Sequence, residues 1–464
     1  MIKILTNKFL YWISWIIIPL AIEIIPSFLN YFLLLKKKIF AKKEKELVFF
    51  PRISIIIPVY NSQVTLYQCL QSIANSTYPN EEIDILLVDN GSKDESFQVF
   101  QKAQMDFDNL SMNWVWSKQG KARALNKAIF NSCGKYIINI DSDGMLEKNT
   151  LYNLIKKFEN NPHIDCMTGA ILINPEDIKK TKGFFLKQFR ILEYMEYCQA
   201  FLAGRNVSAE FNTIFTLSGA FSAFKQSVLL QTNLYNTDTI CEDTHLTFQI
   251  KKLLRKKVHF CENAIFMVDP IEDLNKFYTQ RQRWQIGELE VFHMFYKHNL
   301  KNPILRFFTD STIRTMILDH TAAFPKIAWY FALLALGFLN YSFKTVIVST
   351  ILLYCLYVLA SFLFYMNILF FLKAYPEHKR YYSSKVLYLL LMPLYNLFSY
   401  FVRMAGILNC ITKSASWKTD NFTDEKRTFD GIVDKDFSFL KKARKFVANI
   451  CEYDEDYEEN SNVE

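Results

Sequence analysis

The sequence lacks the cysteine patterns that stabilise small secreted domains or form structural zinc sites. Its nine cysteines are scattered over 464 residues, without a Cys-x-x-Cys pair and without a Cys/His cluster at zinc-ligand spacing. We therefore expect neither a disulfide framework nor a zinc site, and the pattern fits a reducing compartment. A Walker A sequence is also missing around the Gly120-Lys121 pair, which argues against an NTPase.

Long apolar runs, by contrast, are present. Hydrophobic residues make up 51% and aromatic residues 16% of the chain, which is high for a soluble protein and predicts a membrane protein. Residues 9–35 exceed the roughly 20 residues that cross a bilayer, and they lack the small-residue cleavage site of a signal peptide, so we predict a retained anchor. A lysine cluster follows: Lys36, Lys37, Lys38, Lys42, Lys43 and Lys45. This cluster places the next part of the chain in the cytoplasm.

Three further apolar runs lie near the C-terminus, at 313–339, 346–372 and 386–411. The first contains charged residues in its first half. Arg403 lies inside the third, where it either snorkels to the interface or faces a polar path, and we favour the path. Four crossings in all would put the tail outside, whereas the basic amphipathic pattern over 437–447 suits the cytoplasmic membrane face, so the side of the tail stays open. The acidic segment 452–464 is predicted to be a solvated tail.

The region between the apolar runs alternates strand and helix patterns, which predicts a mostly parallel α/β sheet. A buried strand over 136–140 ends in Asp141-Ser142-Asp143-Gly144, and another over 83–88 ends in Asp89-Asn90-Gly91-Ser92. Because the carboxyl ends of parallel strands face the ligand crevice of such a sheet, Asp141 and Asp143 are candidate ligands for Mg²⁺ or Mn²⁺ bound to a phosphate. A capped helix start is the alternative for these residues alone, since Asp and Ser are good N-cap residues.

Four short motifs in this region resemble, in order and spacing, the nucleotide-sugar half of family 2 glycosyltransferases of the GT-A fold. They are Ile-Pro-Val-Tyr-Asn at 57–61, Val-Asp-Asn-Gly-Ser at 88–92, Gly-Lys-Ala-Arg-Ala-Leu-Asn at 120–126 and Asp-Ser-Asp-Gly at 141–144. The resemblance implies that Asp89 holds the uracil or ribose edge, that Lys121 neighbours the diphosphate, and that Asp141 and Asp143 share the ribose contact and the metal. A glycine and a lysine that open a helix also suit a phosphate on physical grounds. The sequence departs from many family members at Asn90, where they carry a second Asp.

Two acidic residues, Glu242 and Asp243, open a predicted helix after Cys241. An acid at a helix N-terminus commonly just compensates the helix dipole. The family resemblance implies a further role, because a Glu-Asp or Thr-Glu-Asp element stands at this place and its Asp is the general base that takes the proton of the acceptor hydroxyl. Asp243 matches that Asp, with Glu242 beside it, whereas Cys241 stands where a Thr is frequent. The same resemblance makes the small residues of 217–224 line the acceptor side.

The pentapeptide Gln280-Arg281-Gln282-Arg283-Trp284 carries the strongest functional signal. On a helix, Gln280, Arg283 and Trp284 share one face, where an amide, a guanidinium group and an indole suit a sugar and its diphosphate. An interfacial Arg-Trp pair beside a membrane is the alternative. The pentapeptide resembles the Gln-x-x-Arg-Trp signature of processive family members, namely cellulose, chitin, hyaluronan and poly-N-acetylglucosamine synthases.

The predicted fold is α/β, a GT-A (Rossmann-like) cytoplasmic domain with flanking transmembrane helices, in a multi-pass protein of a bacterial plasma membrane. Four regions are expected: an anchor with a basic linker (1–45), the GT-A domain with interfacial helices (46–305), a C-terminal transmembrane region (306–411) and a tail with an amphipathic helix and an acidic end (412–464). One aromatic, amphipathic pattern, over 184–201, predicts a helix that lies either on the membrane surface or on the soluble core.

The resemblance implies an enzyme that transfers a sugar from a UDP-sugar to a growing β-linked polysaccharide, with inversion, with Mg²⁺ or Mn²⁺, and coupled to membrane translocation. Two alternatives stay open: a single-addition glycosyltransferase that acts on a membrane lipid, and a non-catalytic membrane subunit of a polysaccharide or secretion complex. The expected partners are the donor, a polysaccharide or lipid acceptor, the lipid bilayer and accessory membrane or secretion proteins, with no nucleic acid. The residues do not name the sugar, the linkage or the oligomeric state.

Overall fold

A mixed sheet of eight strands forms the centre of the protein. The structure, a computed structural model, describes residues 19–40, 44–297, 303–317 and 342–412, together with positions 17, 331–333, 335, 336, 338, 339 and 423. The strands are β1 (Ile53–Val59), β2 (Ile83–Asp89), β3 (Ser111–Trp116), β4 (Tyr136–Ile140), β5 (Gly144–Leu146), β6 (Cys166–Ile173), β7 (Phe221–Lys225) and β8 (Val258–Val268). Their order across the sheet is β3-β2-β1-β4-β7-β6-β8-β5.

Helices cover both faces of this sheet and continue beyond it. In the described residues the α-helices are α1 (Ile25–Ile39), α2 (Leu66–Ala74), α3 (Ser96–Asp106), α4 (Lys121–Asn131), α5 (Thr150–Asn160), α6 (Pro175–Lys180), α7 (Phe184–Tyr197), α8 (Arg205–Glu210), α9 (Gln226–Leu229), α10 (Glu242–Phe248), α11 (Leu274–Tyr296), α12 (Pro303–Thr309), α13 (Ser311–Met316), α14 (Phe343–Phe371), α15 (Pro376–Ser383) and α16 (Met392–Thr412). Single π-helical segments occupy Leu20–Ile24, Cys198–Gly204 and Gln249–Leu253, and 3₁₀ turns occupy Asn80–Glu82, Leu372–Ala374 and Val386–Leu390.

The first four strands of the sheet order are parallel and nearly continuously apolar. Every residue of β1 and of β4 is buried, as expected for parallel strands that helices cover on both faces. The helix α2 supplies part of that cover with a buried stripe of Leu66, Cys69, Leu70 and Ile73. Because β2 and β4 both pair in parallel with β1, their carboxyl ends reach the same edge of the sheet.

The remaining strands make the sheet mixed. The strand β7 runs antiparallel to both β4 and β6, while β6 and β8 are parallel and β5 is antiparallel to β8. The antiparallel register of β7 brings the residues that precede it alongside the end of β4, where the Asp141 N–H donates to the Ala220 carbonyl over 3.1 Å. The prediction of a parallel sheet is therefore confirmed for β1 to β4. In the rest of the sheet, β7 runs antiparallel to β4 and brings the residues before it to the site.

The helix predicted over 184–201 packs on the sheet core along one face, and its contact with a membrane surface remains a prediction. Its residues Ile191, Tyr194 and Met195 are buried. At its start Phe184 and Phe185 are 71% and 86% exposed. The chain then passes through the π-helical segment Cys198–Gly204 directly into α8.

One helix of the described residues, Phe343–Ala374 including its final 3₁₀ turn, is long and apolar enough to cross a membrane by length and composition. It matches the apolar run predicted over 346–372. Residues 1–16 of the predicted anchor, most of the 313–339 run and the tail beyond 423 lie outside the described residues. The span predicted over 386–411 is not confirmed, because α16 is not the described helix that is apolar enough to cross a membrane.

Candidate active site

A cleft of about 1350 Å³ opens at the carboxyl ends of β1, β2 and β4. Six of the nine residues predicted for the site line it together: Lys121, Asp141, Asp143, Glu242, Gln280 and Arg283. The other three, Asp89, Asp243 and Trp284, stand next to it or behind its wall. Asp141 and Asp143 follow the parallel strand β4, and the helices α10 and α11 form the opposite side of the cleft. Residues that lie up to 160 positions apart along the chain thus face one volume of roughly the size that small-ligand sites occupy.

Lys121 and Asp141 form an ion pair at the floor of the cleft. The Lys121 Nζ lies 2.5 Å from the Asp141 Oδ1, and it also donates to the Gly219 carbonyl over 3.4 Å. Burial alone would lower the pKa of Lys121, but the carboxylates of Asp141 and Glu242 raise it above its usual value. The lysine therefore remains a cation, and it stands where it can neutralise a phosphate.

Asn90, the position where the sequence departs from many family members, orients the turn in front of Lys121. Its Oδ1 accepts the Gly120 N–H over 2.5 Å, and the residue itself lines the cleft. An amide oxygen accepts this hydrogen bond as a carboxylate would. The departure therefore preserves the contact between the β2 end and the start of α4.

Asp89 ends β2 and caps its own loop. Its Oδ1 accepts the N–H groups of Gly91 over 3.1 Å and of Ser92 over 2.8 Å. This is an Asx-type turn, which fixes the loop that leads from the strand end to the cleft. The nucleotide contact expected of Asp89 remains a prediction.

Asp143 lies beside Asp141, with its side chain open to the cleft. The surrounding protein withholds water from its carboxyl group, and this desolvation together with the charge of Asp141 raises the pKa of Asp143 to about 6. The described residues contain no group of three or more His, Cys, Asp or Glu that could by itself hold a metal ion. Two carboxylates do fit Mg²⁺ or Mn²⁺, since such an ion usually takes one or two carboxylates and completes its shell with water and substrate phosphate oxygens.

Asp269 is a cleft residue that the sequence analysis missed. It follows the last residue of β8, its pKa is raised by burial and by the charge of Asp177, and its own charge adds to the pKa rise of Asp143. An acid directly after an apolar strand is the same signal that identified Asp141. The signal was present in Val268-Asp269-Pro270.

Asp243 is held by backbone N–H groups at the start of α10. Its Oδ2 accepts the Gly219 N–H over 3.0 Å, and its Oδ1 accepts the Thr244 N–H over 2.7 Å. Burial raises the pKa values of Asp243 and of its buried neighbour Glu242, and the cation of Lys121 opposes both rises. A carboxylate with a raised pKa is a better base than a free one near neutral pH.

A single residue, Gly219, joins the two halves of the site. Its carbonyl accepts hydrogen bonds from Asn139 over 3.0 Å and from Lys121, while its N–H binds Asp243. A Cβ atom at this position would lie 3.0 Å from the Asp243 Oδ2. The close approach of residue 219 to the carboxylate therefore favours glycine, because a Cβ atom here would force the Asp243 carboxylate to shift.

Arg205 is a second residue that the sequence analysis missed, and no local motif marks it. It begins α8 directly after the π-helical segment, its Nη1 donates to the Thr168 Oγ1 over 3.0 Å, and its guanidinium group lies 5.0 Å from the centre of the Phe201 ring. Burial lowers the pKa of Arg205 to about 10, against the opposing charges of Asp243 and Glu288. A half-buried cation thus acts electrostatically on the Asp243 carboxylate.

The Gln280–Trp284 pentapeptide lies on α11 and divides its side chains between two environments. Gln280 and Arg283 line the cleft, and the Gln280 Oε1 is buried without a hydrogen-bond partner among the described residues. Gln282 and Gln285 face the other way, where they accept hydrogen bonds from Asn409 over 3.2 Å and from Arg403 over 3.1 Å, both on α16. Arg403 therefore links α16 to α11.

Arg281 is structural. It forms a 2.6 Å ion pair with Glu196 of α7 and is buried. The guanidinium group also lies 4.6 Å from the centre of the Trp284 ring, and Trp284 is 38% exposed and meets Phe201 edge-on. Gln280 and Arg283 face the cleft, whereas Trp284, which was expected on the same face, packs against Arg281 and Phe201. The substrate contacts expected of all three residues remain predictions.

Cys241 accounts for the close contact between α10 and α11. A Cβ atom on Gly287 of α11 would lie 2.0 Å from the Cys241 Sγ, so the two helices meet through a side chain packed on a bare backbone. This contact holds the acidic start of α10 against the helix that carries Gln280 and Arg283.

Comparison with known proteins agrees with this geometry. Residues 54–231 match the family model described as glycosyl transferase family 2. Two curated relatives are poly-beta-1,6-N-acetyl-D-glucosamine synthases: that of Staphylococcus epidermidis is 26% identical over 243 residues, and that of Staphylococcus aureus strain COL is 25% identical over 239 residues. Each match covers 52% of this chain and 55% of the relative, so the chain matches about half the length of these relatives.

A solved structure shares the fold. The mannosyltransferase PcManGT from Pyrobaculum calidifontis, in complex with GDP-Man and Mn2+, aligns with a TM-score of 0.52 at 17% identity, over 80% of this chain and 98% of that one. This likeness bears on the fold alone. It supports the α/β, GT-A (Rossmann-like) architecture that the sequence predicts.

Proposed function

We propose that this chain, whose residues 54–231 carry a glycosyl transferase family 2 domain, transfers a sugar from a UDP-sugar to a growing β-linked polysaccharide with inversion at the anomeric carbon. The observation that carries the proposal is the chain of contacts from Lys121 and Asp141 through Gly219 to Asp243. Through Gly219, these contacts connect the Lys121 cation, which can neutralise a phosphate, to the Asp243 carboxylate, which can act as a base. The printed names of the curated relatives support a polysaccharide as the product.

Lys121 and Arg283 bind the diphosphate of the donor. Both line the cleft, and their charges stabilise the negative charge that develops on the departing UDP. Asp143, with Asp141 beside it, holds Mg²⁺ or Mn²⁺, which when bound supplies Lewis-acid stabilisation of the same leaving group. The unpartnered Gln280 Oε1 is available to accept a hydrogen bond from a sugar hydroxyl.

Asp243 removes the proton of the acceptor hydroxyl while that oxygen attacks the anomeric carbon. The two backbone N–H groups orient its carboxylate, and its raised pKa suits a general base. The acceptor oxygen attacks the face of the anomeric carbon opposite to UDP, and UDP leaves. This single displacement inverts the configuration at that carbon through an oxocarbenium-like transition state. Glu242 is buried beside Asp243 and contributes to the electrostatics of the base.

The helix Phe343–Ala374 supports a membrane location, since its length and composition suit a bilayer. The basic end of α1 docks on the catalytic body, where the Lys37 Nζ lies 2.6 Å from the Glu210 Oε1. We place the catalytic domain on the cytoplasmic side, because UDP-sugars are made there and the lysines after the first apolar run favour that side.

The experiment that tests the proposal is UDP release by the full chain in nanodiscs with Mn²⁺ or Mg²⁺, across a panel of UDP-sugars that begins with UDP-N-acetylglucosamine, followed by product sizing. A high-mass product ladder from one donor is expected. A product of a single added sugar on lipid would replace the polymerase proposal with the lipid-transferase alternative. A chain that hydrolyses or transfers nothing, with acceptor oligosaccharide supplied, would contradict the enzymatic proposal.

A further inference from the structure

A second cavity, of about 460 Å³, lies away from the active-site cleft and shares no lining residue with it. It is bordered by the end of the π-helical segment Gln249–Leu253, the loop before β8, and the helices α12 and α13. Six cationic side chains line it against one carboxylate, that of Asp310. The cations are Lys251, Lys252, Arg255, Lys256, Lys257 and Arg306. We call this cavity the basic pocket.

The acidic groups nearby neutralise only a small part of this charge. Asp310 pairs with Lys252 at 2.7 Å and also accepts hydrogen bonds from the Tyr296 hydroxyl and the Thr312 N–H. Lys256 pairs with Asp165 at 2.9 Å, but Asp165 is shared with Lys225 at 3.3 Å. Among the described residues, Arg255, Lys257 and Arg306 form no ion pair.

Lys251 contributes a half-buried cation to the basic pocket, and the hydrogen bonds of its ammonium group within the described residues go to backbone carbonyls. Its Nζ donates to the Ile214 carbonyl over 2.8 Å, and burial together with the charge of Lys252 lowers the pKa of Lys251 to about 8. The alternative is a row of solvated surface lysines, but such a row would not form a concave cavity with a half-buried cation. The arrangement is typical of a site for a multiply charged anion, since guanidinium forks and ammonium groups together match phosphate oxygens.

Exposed apolar residues stand next to the cations of the basic pocket along the chain, and we call these residues the apolar rim. Leu253, Leu305 and Phe308 are 57%, 63% and 71% exposed, and each lies within three residues of a cation that lines the pocket. The chain leaves α13 toward the residues that the sequence predicts to return to the bilayer. Exposed apolar groups interleaved with cations are typical of a surface that meets anionic lipid headgroups.

We propose that the basic pocket binds a phosphate-bearing anion, with the headgroup of an anionic phospholipid as the source that the apolar rim favours. The hydroxyl groups of Thr309 and Ser311 add donors to the cationic ones. A lipid bound there would seat the catalytic domain on the membrane surface beside α12. This site is independent of sugar transfer, because none of its residues lines the active-site cleft.

The test uses the full chain in an uncharged detergent and follows its thermal unfolding midpoint. Phosphatidylglycerol is titrated against phosphatidylcholine in one arm, and sodium phosphate against sodium chloride of equal ionic strength in the other. The variant that weakens the basic pocket is Arg255→Asn with Lys257→Gln, since both side chains are exposed and Asn tolerates the positive φ of 52° at residue 255. The matched control is Arg52→Asn with Lys148→Gln, which removes the same charge from exposed positions elsewhere.

We expect the unfolding midpoint to rise more with phosphatidylglycerol than with phosphatidylcholine. The pocket variant should need about tenfold more lipid for the same rise, whereas the control should titrate like the native chain. A rise with phosphate over chloride as well would support the pocket as a general phosphate site, and a rise with lipid alone would support the headgroup as the source. Arg306→Gln, on α12 rather than in the loop before β8, should weaken the effect in the same direction. Equal titration of native chain, pocket variants and control, or no rise in either arm, would overturn the proposal.

Discussion

The Gly219 N–H donates a 3.0 Å hydrogen bond to the Asp243 Oδ2, and this one contact ties the end of the nucleotide-binding half of the sheet to the proposed catalytic base. The contact crosses 24 residues of sequence and brings together two elements that no local pattern connects. The same glycine accepts a hydrogen bond from Lys121, so the positions of the cation and the base are set by one peptide unit. The first prediction concerns this unit.

Gly219→Ala should lower the turnover number at least about tenfold while the protein still folds. The added Cβ would stand 3.0 Å from the Asp243 Oδ2, so the carboxylate must turn away from its bonded position, and small misplacements of a catalytic group are costly. The measurement is UDP release under saturating donor. Ser218→Ala changes the neighbouring residue without touching this contact and should keep nearly full activity; equal losses in both variants would contradict the argument.

Asp243→Asn should reduce sugar transfer by at least about 10²-fold and leave UDP binding nearly intact. The amide cannot take a proton from the acceptor, while the groups assigned to the diphosphate stay unchanged. Turnover and the affinity for UDP, measured separately on the same preparation, check both halves of this expectation. Asp108→Asn, at an exposed position outside the cleft, is the control, and full activity of the Asp243 variant would remove Asp243 from the base role.

Arg205→Met should move the acid limb of the pH–activity profile to higher pH. The pKa of Asp243 is raised by burial and partly lowered again by the Arg205 charge, so removing that charge lets the pKa rise further. The base then becomes protonated, and activity is lost, at a higher pH. Arg205→Lys restores the charge and should restore most of the profile, and a loss of activity with no change in profile would show a purely structural role.

The two arginines of the pentapeptide should respond differently to the same substitution. Arg281→Gln breaks a buried ion pair with Glu196 and should cost about 3 kcal/mol or more of folding free energy. Arg283→Gln should leave the unfolding midpoint nearly unchanged and raise the Michaelis constant for the donor, because Arg283 lines the cleft. Thermal unfolding and donor kinetics on both variants check the contrast, and a reversed pattern would show that the assignments are exchanged.

The buried pair Lys157–Glu262 should make the α/β domain sensitive to acid. Burial alone would raise the pKa of Glu262, but Lys157, 2.8 Å away, lowers it to about 2. The pair therefore stabilises the fold above the ordinary glutamate pKa, and this contribution, up to about 3 kcal/mol, is lost as the pH falls from about 4.5 toward 2.

Unfolding midpoints at pH 7 and pH 4 check the role of this pair. Glu262→Gln should lower the midpoint at pH 7 and flatten its acid dependence. Glu81→Gln, which changes an exposed glutamate, should leave both unchanged.

The nucleotide half of the site was predictable because its signals are local. An apolar strand that ends in Asp141-Ser142-Asp143 indicates a buried strand. It also indicates that these residues lie at the edge of the sheet where ligands bind, since parallel strands of an α/β sheet end on the same side. Six of the nine predicted site residues share the cleft. Asp269, which also lines it, carried the same signal unnoticed. The spacing of Gln280 and Arg283 likewise indicated a common helix face.

The contacts that complete the site depend on the order of the strands rather than on any local pattern. The antiparallel insertion of β7 beside β4 brings Gly219 to Lys121 and Asp243, and the fold brings Arg205 within electrostatic reach of the base. The role of Arg281 also emerged only in three dimensions, because its partner Glu196 lies 85 residues away on α7.

The amino-acid sequence by itself determined the α/β class, the positions of the acidic strand ends and the long apolar helix after residue 342, since hydrophobic periodicity and strand-end chemistry act over a few neighbouring residues. Only the tertiary structure decided which of those groups meet. Distances between side chains from β4, β7, α8, α10 and α11 depend on packing interactions among residues far apart in the chain, and those are not written in any short stretch of sequence.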